Sequence, residues 1–480
     1  MLNLTARYFS KMTFLRTAFC LVAILFTFTV SAAKATILVP FAPWFNEIKV
    51  GMFIHGGLYS IPAGTWKGQI GTRPELVEQE FRIPISDYSA LAKEFNPVKF
   101  DANTYVKLAK DAGFGYLVFV AKHHDGFAMF DSPSDPYNVV ASTPFKRDPL
   151  KELAVACEKY GITLCVYYSL GRDWHVPGVP LGGNRRNDWD FPIAKQSDID
   201  TYLEKKVKPQ LRELLTQYGP IGAVWFDTPE GIQPHHSREL RTLIKSLQPG
   251  CLVNSRVGNG YGDYDIYEQS IPITTIRRPW ETCITLNDHW GYTSWDHNWK
   301  SPALIVRSLV DTASKGGNLL INIGPKADGS VPTPSVKLLH VVGNWLKLHG
   351  EAIYGTTIAP IESDAGSSMV FAESNSDGSE RYPVVNLTKD EKNNISSLPH
   401  GWRVTAKPGC LFIHLFDHPQ DGLLVLQDLP GKVLKVILLT DPQRRALGFS
   451  QYGGSFSTQL PLDVWDDLTT VVKLEFADGR

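Results

Sequence analysis

An aspartate closes the run Ile221-Gly222-Ala223-Val224-Trp225-Phe226-Asp227, which Pro220 opens and Pro229 ends. A short apolar run bounded in this way reads as a buried parallel strand. A carboxylate at the C-terminal end of such a strand is where barrel enzymes place catalytic groups. Other predicted strands also end in groups capable of chemistry. Tyr116 to Ala121 delivers Lys122-His123-His124-Asp125, and a first strand ends at His55-Gly56-Gly57. Histidines at a strand tip can ligate a metal, move protons or hydrogen-bond a polar ligand. No ligand-spaced motif accompanies them, which disfavours the metal. A lone histidine is usually structural, but three at two tips of one barrel point to a site.

Ile162 to Ser169 carries Tyr167 and Tyr168 and is followed by Asp173-Trp174-His175, residues that equally suit a core or rim. Cys251 to Arg256 ends in an arginine fit to clamp a carboxylate or sugar hydroxyls, or to bridge the barrel mouth. Asp263, Asp265, Glu268 and Glu281 fall in what reads as a loop region beyond it. Most loop acids are merely solvated. One carboxylate fixed on a strand and another on a loop is nevertheless the pair that cleavage of a glycosidic bond requires. A gap of about 5 Å gives retention, and a wider one admits water and gives inversion.

The elements that must position these groups alternate from about Phe45 to Thr356. Helices are expected over Phe100 to Ala112, Pro149 to Tyr160, Asp200 to Tyr218 with a bend at Pro209, Ser237 to Leu247, Ala303 to Ser314 and Pro334 to His349. A further strand is expected at Asn318 to Gly324. Strand and helix in alternation predict a parallel sheet, and the length fits a (β/α)8-like barrel. An open doubly wound sheet is the alternative, but no Gly-rich dinucleotide fingerprint follows the early strands. After about Ile358 the texture changes to short runs split by Gly, Pro, Asn and Asp. These are Arg403 to Thr405, Leu411 to Phe416, Gly422 to Leu426, Val433 to Leu439 and Thr470 to Phe476, the pattern of an antiparallel β-sandwich. The expected division is a leader over 1–35, a barrel over 36–357 and a sandwich over 358–480.

The chain has 480 residues and a net charge of −1, which gives no electrostatic case for nucleic acid or an anionic membrane as partner. Its 12 Trp, 18 Tyr and 24 Phe suit stacking on sugar rings as well as core packing. Arg7, Lys11 and Arg16 precede the apolar stretch Thr17 to Val30 and the small-residue segment Ser31-Ala32-Ala33-Lys34-Ala35. This is the layout of a cleaved secretory signal, with mature start near Ala33 to Thr36 and Met12 as an alternative initiator. It implies a secreted or periplasmic protein; an uncleaved anchor is the alternative. Beyond Cys20, the cysteines at 157, 165, 251, 283 and 410 are odd in number and scattered, so no disulfide framework is expected.

Taken in order, GMFIHGGLYSIPAG (51–64), FNPVKFDA (95–102), AKHHDGFAMFDS (121–132), YYSLGRDWHVP (167–177), YGPIGAVWFDTPEG (218–231), GDYDIYEQSIP (262–272), WETCITLNDHWGY (280–292) and SKGGNLLINIGPKADG (314–329) resemble the α-L-fucosidases of glycoside hydrolase family 29 across nearly the whole catalytic region. The resemblance implies a retaining double displacement on terminal fucosyl residues. Asp227 would be the nucleophile and Glu268 the acid/base, with Glu281 as fallback. His55, Glu80, His123, His124, Tyr167, Trp225, Arg256 and Trp290 would hold the sugar. No cofactor is implied, and the partner is a fucosylated oligosaccharide or polysaccharide. Gly56 and Phe81 stand where the family usually has tryptophan. Their small or altered side chains imply a roomier pocket, suited to a substituted fucose such as the sulfated residues of algal polysaccharide. A fucose-binding pseudoenzyme, a metal-dependent hydrolase on His123, His124 and Asp227, and a glycosidase for a related sugar such as α-galactose are the other readings. The sequence carries no signal for oligomeric state.

Overall fold

The computed structural model describes residues 42–179, 186–192, 199–361, 384–386, 401–419 and 421–477. The expected leader lies outside the described residues. Strands β1 (Val50–Ile54), β2 (Tyr116–Lys122), β3 (Thr163–Ser169), β4 (Ala223–Asp227), β5 (Leu252–Val253), β6 (Asp265–Glu268), β7 (Trp280–Thr285) and β8 (Asn318–Ile323) form one parallel sheet. Each neighbours the next in chain order, and β8 returns to β1. Only the β5–β6 edge lacks a full ladder. There an Asn254–Tyr264 bridge closes the ring, with Ser255 N–H donating to Tyr264 C=O at 2.8 Å and Asp263 N–H to Val253 C=O at 2.6 Å.

Helices cover the outside: α1 (Ala102–Asp111), α2 (Pro149–Tyr160), α3 (Lys208–Gln217), α4 (Pro234–Leu247), α5 (Pro302–Ser314) and α6 (Thr333–His349). Their ends follow local chemistry. The Asp101 carboxylate caps α1 by accepting the Asn103 N–H. Asp148 caps α2, Pro149 fills its first turn and Gly161 ends it at φ 66°, a conformation glycine takes without penalty. β5 and β6 have no helix after them, so the barrel is a (β/α)8-like ring with two crossovers reduced to turns.

Four sequence expectations change. The long helix is not simply bent at Pro209. A π-helical stretch, Leu203–Val207, precedes the proline and absorbs the backbone register its missing N–H disturbs. β5 stops at Val253, and Arg256 rides on the 3-10 turn Ser255–Val257. Asp265–Glu268 and Trp280–Thr285, expected as loop, are barrel strands. Glu268 therefore stands at a strand tip and Glu281 inside a strand.

The C-terminal strands form two antiparallel sheets. One runs in the order Thr357–Ile358, Trp402–Lys407, Cys410–Leu415, Thr470–Phe476, Val433–Leu438; the other is Leu423–Gln427, Ser455–Gln459, Phe449–Tyr452. The hairpin Phe449–Tyr452/Ser455–Gln459 was not expected from sequence, because its residues are mostly polar. Val404, Leu411, Ile413, Leu426, Phe456 and Val472 fill the space between the sheets. Phe412, Phe416 and Val471, on the other face, join the core that also surrounds the barrel strands. Polar contacts lock this face to α5. Arg307 donates to Phe416 C=O at 2.7 Å and Leu468 C=O at 3.1 Å, and buried Asp311 pairs with both Lys315, at 2.9 Å, and Arg403. Among the described residues no helix is long and apolar enough to cross a membrane.

A buried charge left with no partner costs about 3–5 kcal/mol. Arg403→Ala leaves Asp311 still paired with Lys315, so it is expected to lower the unfolding free energy by less than that but measurably, read from urea denaturation; a change within error would show that the Asp311 cluster does not hold the sheet to α5.

Candidate active site

The C-terminal tips of the barrel strands surround a cavity of about 560 Å³. Of the expected site residues, His55, His123, His124, Tyr167, Trp225, Asp227, Arg256, Glu268 and Trp290 all line it. Asp227 ends β4 and is fixed from three sides. Arg256 Nη1 donates to Oδ1 at 2.6 Å, the Thr228 N–H donates to the same oxygen at 2.8 Å, and the Tyr167 hydroxyl donates to Oδ2 at 2.7 Å. Burial alone would raise the pKa of this carboxyl. Arg256, the Tyr167 hydrogen bond and Arg172 outweigh it, and the pKa falls below the ordinary aspartate value.

Arg256 also reaches the second carboxylate, with Nη2 donating to Glu268 Oε2 at 2.7 Å. Trp290 Nε1 donates to the other oxygen of Glu268 at 3.1 Å. Asp227 is nearly enclosed, whereas the Glu268 side chain is 41% exposed, so one acid faces the closed floor and the other the open rim. Both are followed by a residue in the left-handed region, Thr228 at φ 50° and Gln269 at φ 53°. For β-branched threonine this is a costly conformation, of order 1–3 kcal/mol.

The aromatic and histidine residues pack as one block. The Tyr167 ring stacks on Trp225 at 5.6 Å and on His123 at 5.5 Å, and the Arg256 guanidinium lies 5.1 Å from the Trp225 ring. His55 Nδ1 contacts Asn322 Oδ1 at 2.7 Å, and Asn322 in turn donates to the Trp290 carbonyl. His124 Nδ1 contacts Ser169 Oγ at 2.6 Å, and that hydroxyl donates to the Arg172 carbonyl at 2.8 Å. A hydroxyl that has spent its proton on a carbonyl accepts from the imidazole, so the Nδ1 of His124 carries the hydrogen and its Nε2 is left as an acceptor. Burial pushes the pKa of His55 down to about 4 and those of His123 and His124 well below the usual range, so all three are neutral near pH 7. Neutral imidazoles both donate and accept, which suits sugar hydroxyls.

Two expected site residues sit elsewhere. Glu80 does not border the cavity. Its carboxylate accepts the backbone N–H groups of Thr72, at 2.7 Å, and Arg73, at 3.3 Å, and so shapes the loop. The carboxylate on the wall from this region is Glu75, beside Leu76. It is buried, which raises its pKa, and accepts the Gly291 N–H at 3.3 Å. Sequence reading passed over Glu75 because the acid-rich stretch 75–80 offers three glutamates and only the fold selects one. Glu281, the fallback acid/base, lies beneath the cavity floor. Its two oxygens accept from Trp225 Nε1 at 2.8 Å and the Tyr116 hydroxyl at 2.5 Å, which leaves it no path to a leaving group. Asp263 pairs with Arg241 and Lys245, and Asp265 with Arg278.

Neither position at which the resemblance expects tryptophan borders the cavity. Phe81 does not line it. Gly56 opens instead onto a separate apolar pocket among Phe95, Phe100, Phe119 and Met129, where an added Cβ would meet only the Pro325 ring, at 3.8 Å.

Residues 29–351 match the sequence profile described as Alpha-L-fucosidase. The plasma alpha-L-fucosidase of Rattus norvegicus is 31% identical over 390 residues, covering 77% of this chain and 79% of that protein. The fold matches alpha-L-fucosidase isoenzyme 1 from Paenibacillus thiaminolyticus with a TM-score of 0.76 at 34% identity, over 91% of this chain and 98% of that one. It also matches the alpha-L-fucosidase from Lactobacillus casei in complex with alpha-L-fucose product, with a TM-score of 0.60 at 36% identity, over 64% of this chain and 98% of that one.

Glu281 yields a test of the floor. Burial raises its pKa from 4.5 to about 7, and the hydrogen bonds from Tyr116 and Trp225 only partly offset this. The folded state therefore binds the proton more tightly than the unfolded chain, and stability from this group is lost as pH rises from about 4.5 to about 7. Glu281→Gln is expected to flatten that part of the stability–pH curve. An unchanged slope in urea titrations at pH 4.5 and 7 would sink the assignment.

Proposed function

The chain belongs to the alpha-L-fucosidase family of glycoside hydrolases, and from that premise we propose that it releases terminal α-L-fucosyl residues with retention, using Asp227 as nucleophile and Glu268 as acid/base. The observation that carries this reading is the shared guanidinium. Arg256 donates to both carboxylates, at 2.6 and 2.7 Å, through neighbouring nitrogens. Oxygens held by one planar fork are close together, which favours the gap of about 5 Å of a double displacement over the gap of about 6.5–9.5 Å that an inserted water needs.

In the first step the ionised Asp227 attacks the anomeric carbon from the cavity floor. Glu268 gives its proton to the departing oxygen at the rim, where the leaving group and then water have access. In the second step Glu268 takes a proton from water, and that water displaces Asp227. Tyr167, Arg256 and the Thr228 N–H keep the leaving carboxylate stabilised. His55, His123, His124 and Glu75 bind ring hydroxyls, and Trp225 and Phe53 give the sugar an apolar face. The reading requires no metal or organic cofactor. The substituted-fucose alternative rested on Gly56 and Phe81 widening the pocket. Neither lines it, so the proposal keeps to an unsubstituted terminal fucosyl group on an oligosaccharide or polysaccharide. We further propose export through the N-terminal segment, testable by N-terminal sequencing of protein recovered outside the cytoplasm, which is expected to begin near Ala33 to Thr36.

Turnover of an aryl α-L-fucoside tests the chemistry. Asp227→Ala is expected to abolish it, Glu268→Ala to reduce it by about 10²–10⁴-fold with poor leaving groups, and EDTA to leave it unchanged. Proton NMR of the first product is expected to show the α-anomer; a β-anomer, or loss of activity with EDTA, would overturn the mechanism.

A further inference from the structure

Resting on the reading of Asp227 as nucleophile, the wall between β3 and β4 holds a cation that this reaction scheme has not used. Arg172 follows β3, lines the cavity and is buried, at 5% exposure. Its Nη2 donates to Glu230 Oε1 at 2.8 Å. Glu230 lies three residues beyond Asp227, so the pair ties the loop after β3 to the loop that follows the nucleophile. The backbones are tied as well. Leu170 N–H donates to Asp227 C=O and Gly171 N–H to Thr228 C=O, both at 2.8 Å. The approach at Gly171 is so close that a Cβ would fall 2.3 Å from Glu230 O, so only glycine permits it. The Arg172 Nε is buried with no hydrogen-bond partner among the described residues. A buried guanidinium left partly unsatisfied is expensive for a purely structural strut, which would use its whole donor fork.

The groups that face Asp227 show what the charge does there. Arg256 and Tyr167 bond it directly. His55, His123 and His124 stand around it and are neutral through burial, and burial likewise keeps the Cys283 thiol protonated. Glu268 lies across Arg256 and divides that arginine's charge. Arg172 is a second arginine whose charge lowers the Asp227 pKa, after Arg256. We propose that Arg172 is a second positioning residue for the displacement: clamped by Glu230 against the cavity wall, its positive charge joins that of Arg256 in holding the Asp227 carboxylate in its attacking form. The division of labour follows from the geometry. Arg256 bonds both carboxylates of the reacting pair, whereas Arg172 is paired with Glu230 outside it and, of the two acids, bears on the nucleophile.

The test follows the side-chain carboxyl ¹³C signal of Asp227, assigned by its loss in Asp227→Asn, through a pH titration, with kcat/KM profiles on an aryl α-L-fucoside in parallel. Arg172→Gln is expected to move the Asp227 titration and the acidic limb of kcat/KM upward by about one pH unit or more. Arg172→Lys is expected to restore most of that shift. Glu230→Gln, which leaves Arg172 without its counter-charge, is expected to move both downward. An Asp227 titration that stays in place in Arg172→Gln would overturn the proposal, whatever happens to the rate. If that variant does not fold, an unmoved titration in Glu230→Gln does the same. Wild-type protein that titrates as expected but turns over no fucoside would instead remove the functional reading and leave the charge coupling standing.

Discussion

Two carboxylates meet at one guanidinium, and much of this barrel's irregularity follows from that contact. Asp227 and Glu268 belong to strands separated in barrel order only by β5. Like charges this close repel unless a cation sits between them. Arg256 supplies it from the turn after β5, and the seam holds it there. Asn254 imitates a strand residue with its side chain, accepting the Phe226 N–H and donating to the Phe226 C=O, both at 2.9 Å. The tip of β4 is thereby registered against the turn that carries Arg256. A helix after β5 would have led the chain away from the mouth. The short connection keeps Arg256 over the cavity and lets Tyr264 close the ring.

The same economy of position appears as strain. Thr228 and Gln269, each directly after a carboxylate, are left-handed. At Thr228 the distortion turns its own N–H onto Asp227 Oδ1. At Gln269 the side chain is pinned to Thr285, with Nε2 donating to its hydroxyl at 2.7 Å, while the backbone N–H pairs with Cys283 at 2.9 Å. Unfavourable backbone persists only where surroundings over-determine it. Here the surroundings are the neighbouring strand tips, so the energy stored in two residues fixes the direction of two acids.

This logic explains what the sequence disclosed and what it hid. β2, β3 and β4 are continuous apolar runs, and their tips announce His123, His124, Tyr167 and Asp227. α1 and α2 carry Asp caps and terminal glycines, and they begin and end near where those signals stand. β6 and β7 were invisible because DIYE and WETCIT put carboxylates into strand text. Glu281 points into the barrel, where Tyr116 and Trp225 from β2 and β4 reach it; strands that are not neighbours can touch only through the interior. A buried acid with two tertiary partners leaves no trace in local pattern. For the same reason Glu75 and Glu80 could not be told apart, since which glutamate faces the cavity depends on how the 71–80 loop folds back on itself. Arg172 was hidden inside a recognisable stretch, its partner Glu230 being 58 positions away.

The C-terminal region touches this machinery through backbone as well as through α5. Val384–Asn386 pairs antiparallel with Ser270–Pro272, the segment that begins two residues after Glu268. Ser270–Pro272 would otherwise be an unpaired edge on a connection with no helix to support it, and such an edge is free to slip in register. Pairing opposes slip at the point where Gln269 turns left-handed and Glu268 leaves the sheet. β6 has four residues and the open rim beside it, so it is the least supported of the strands that carry an acid. This two-stranded pairing thus compensates for the crossover absent after β6, and makes Val384–Asn386 a buttress of the Glu268 strand.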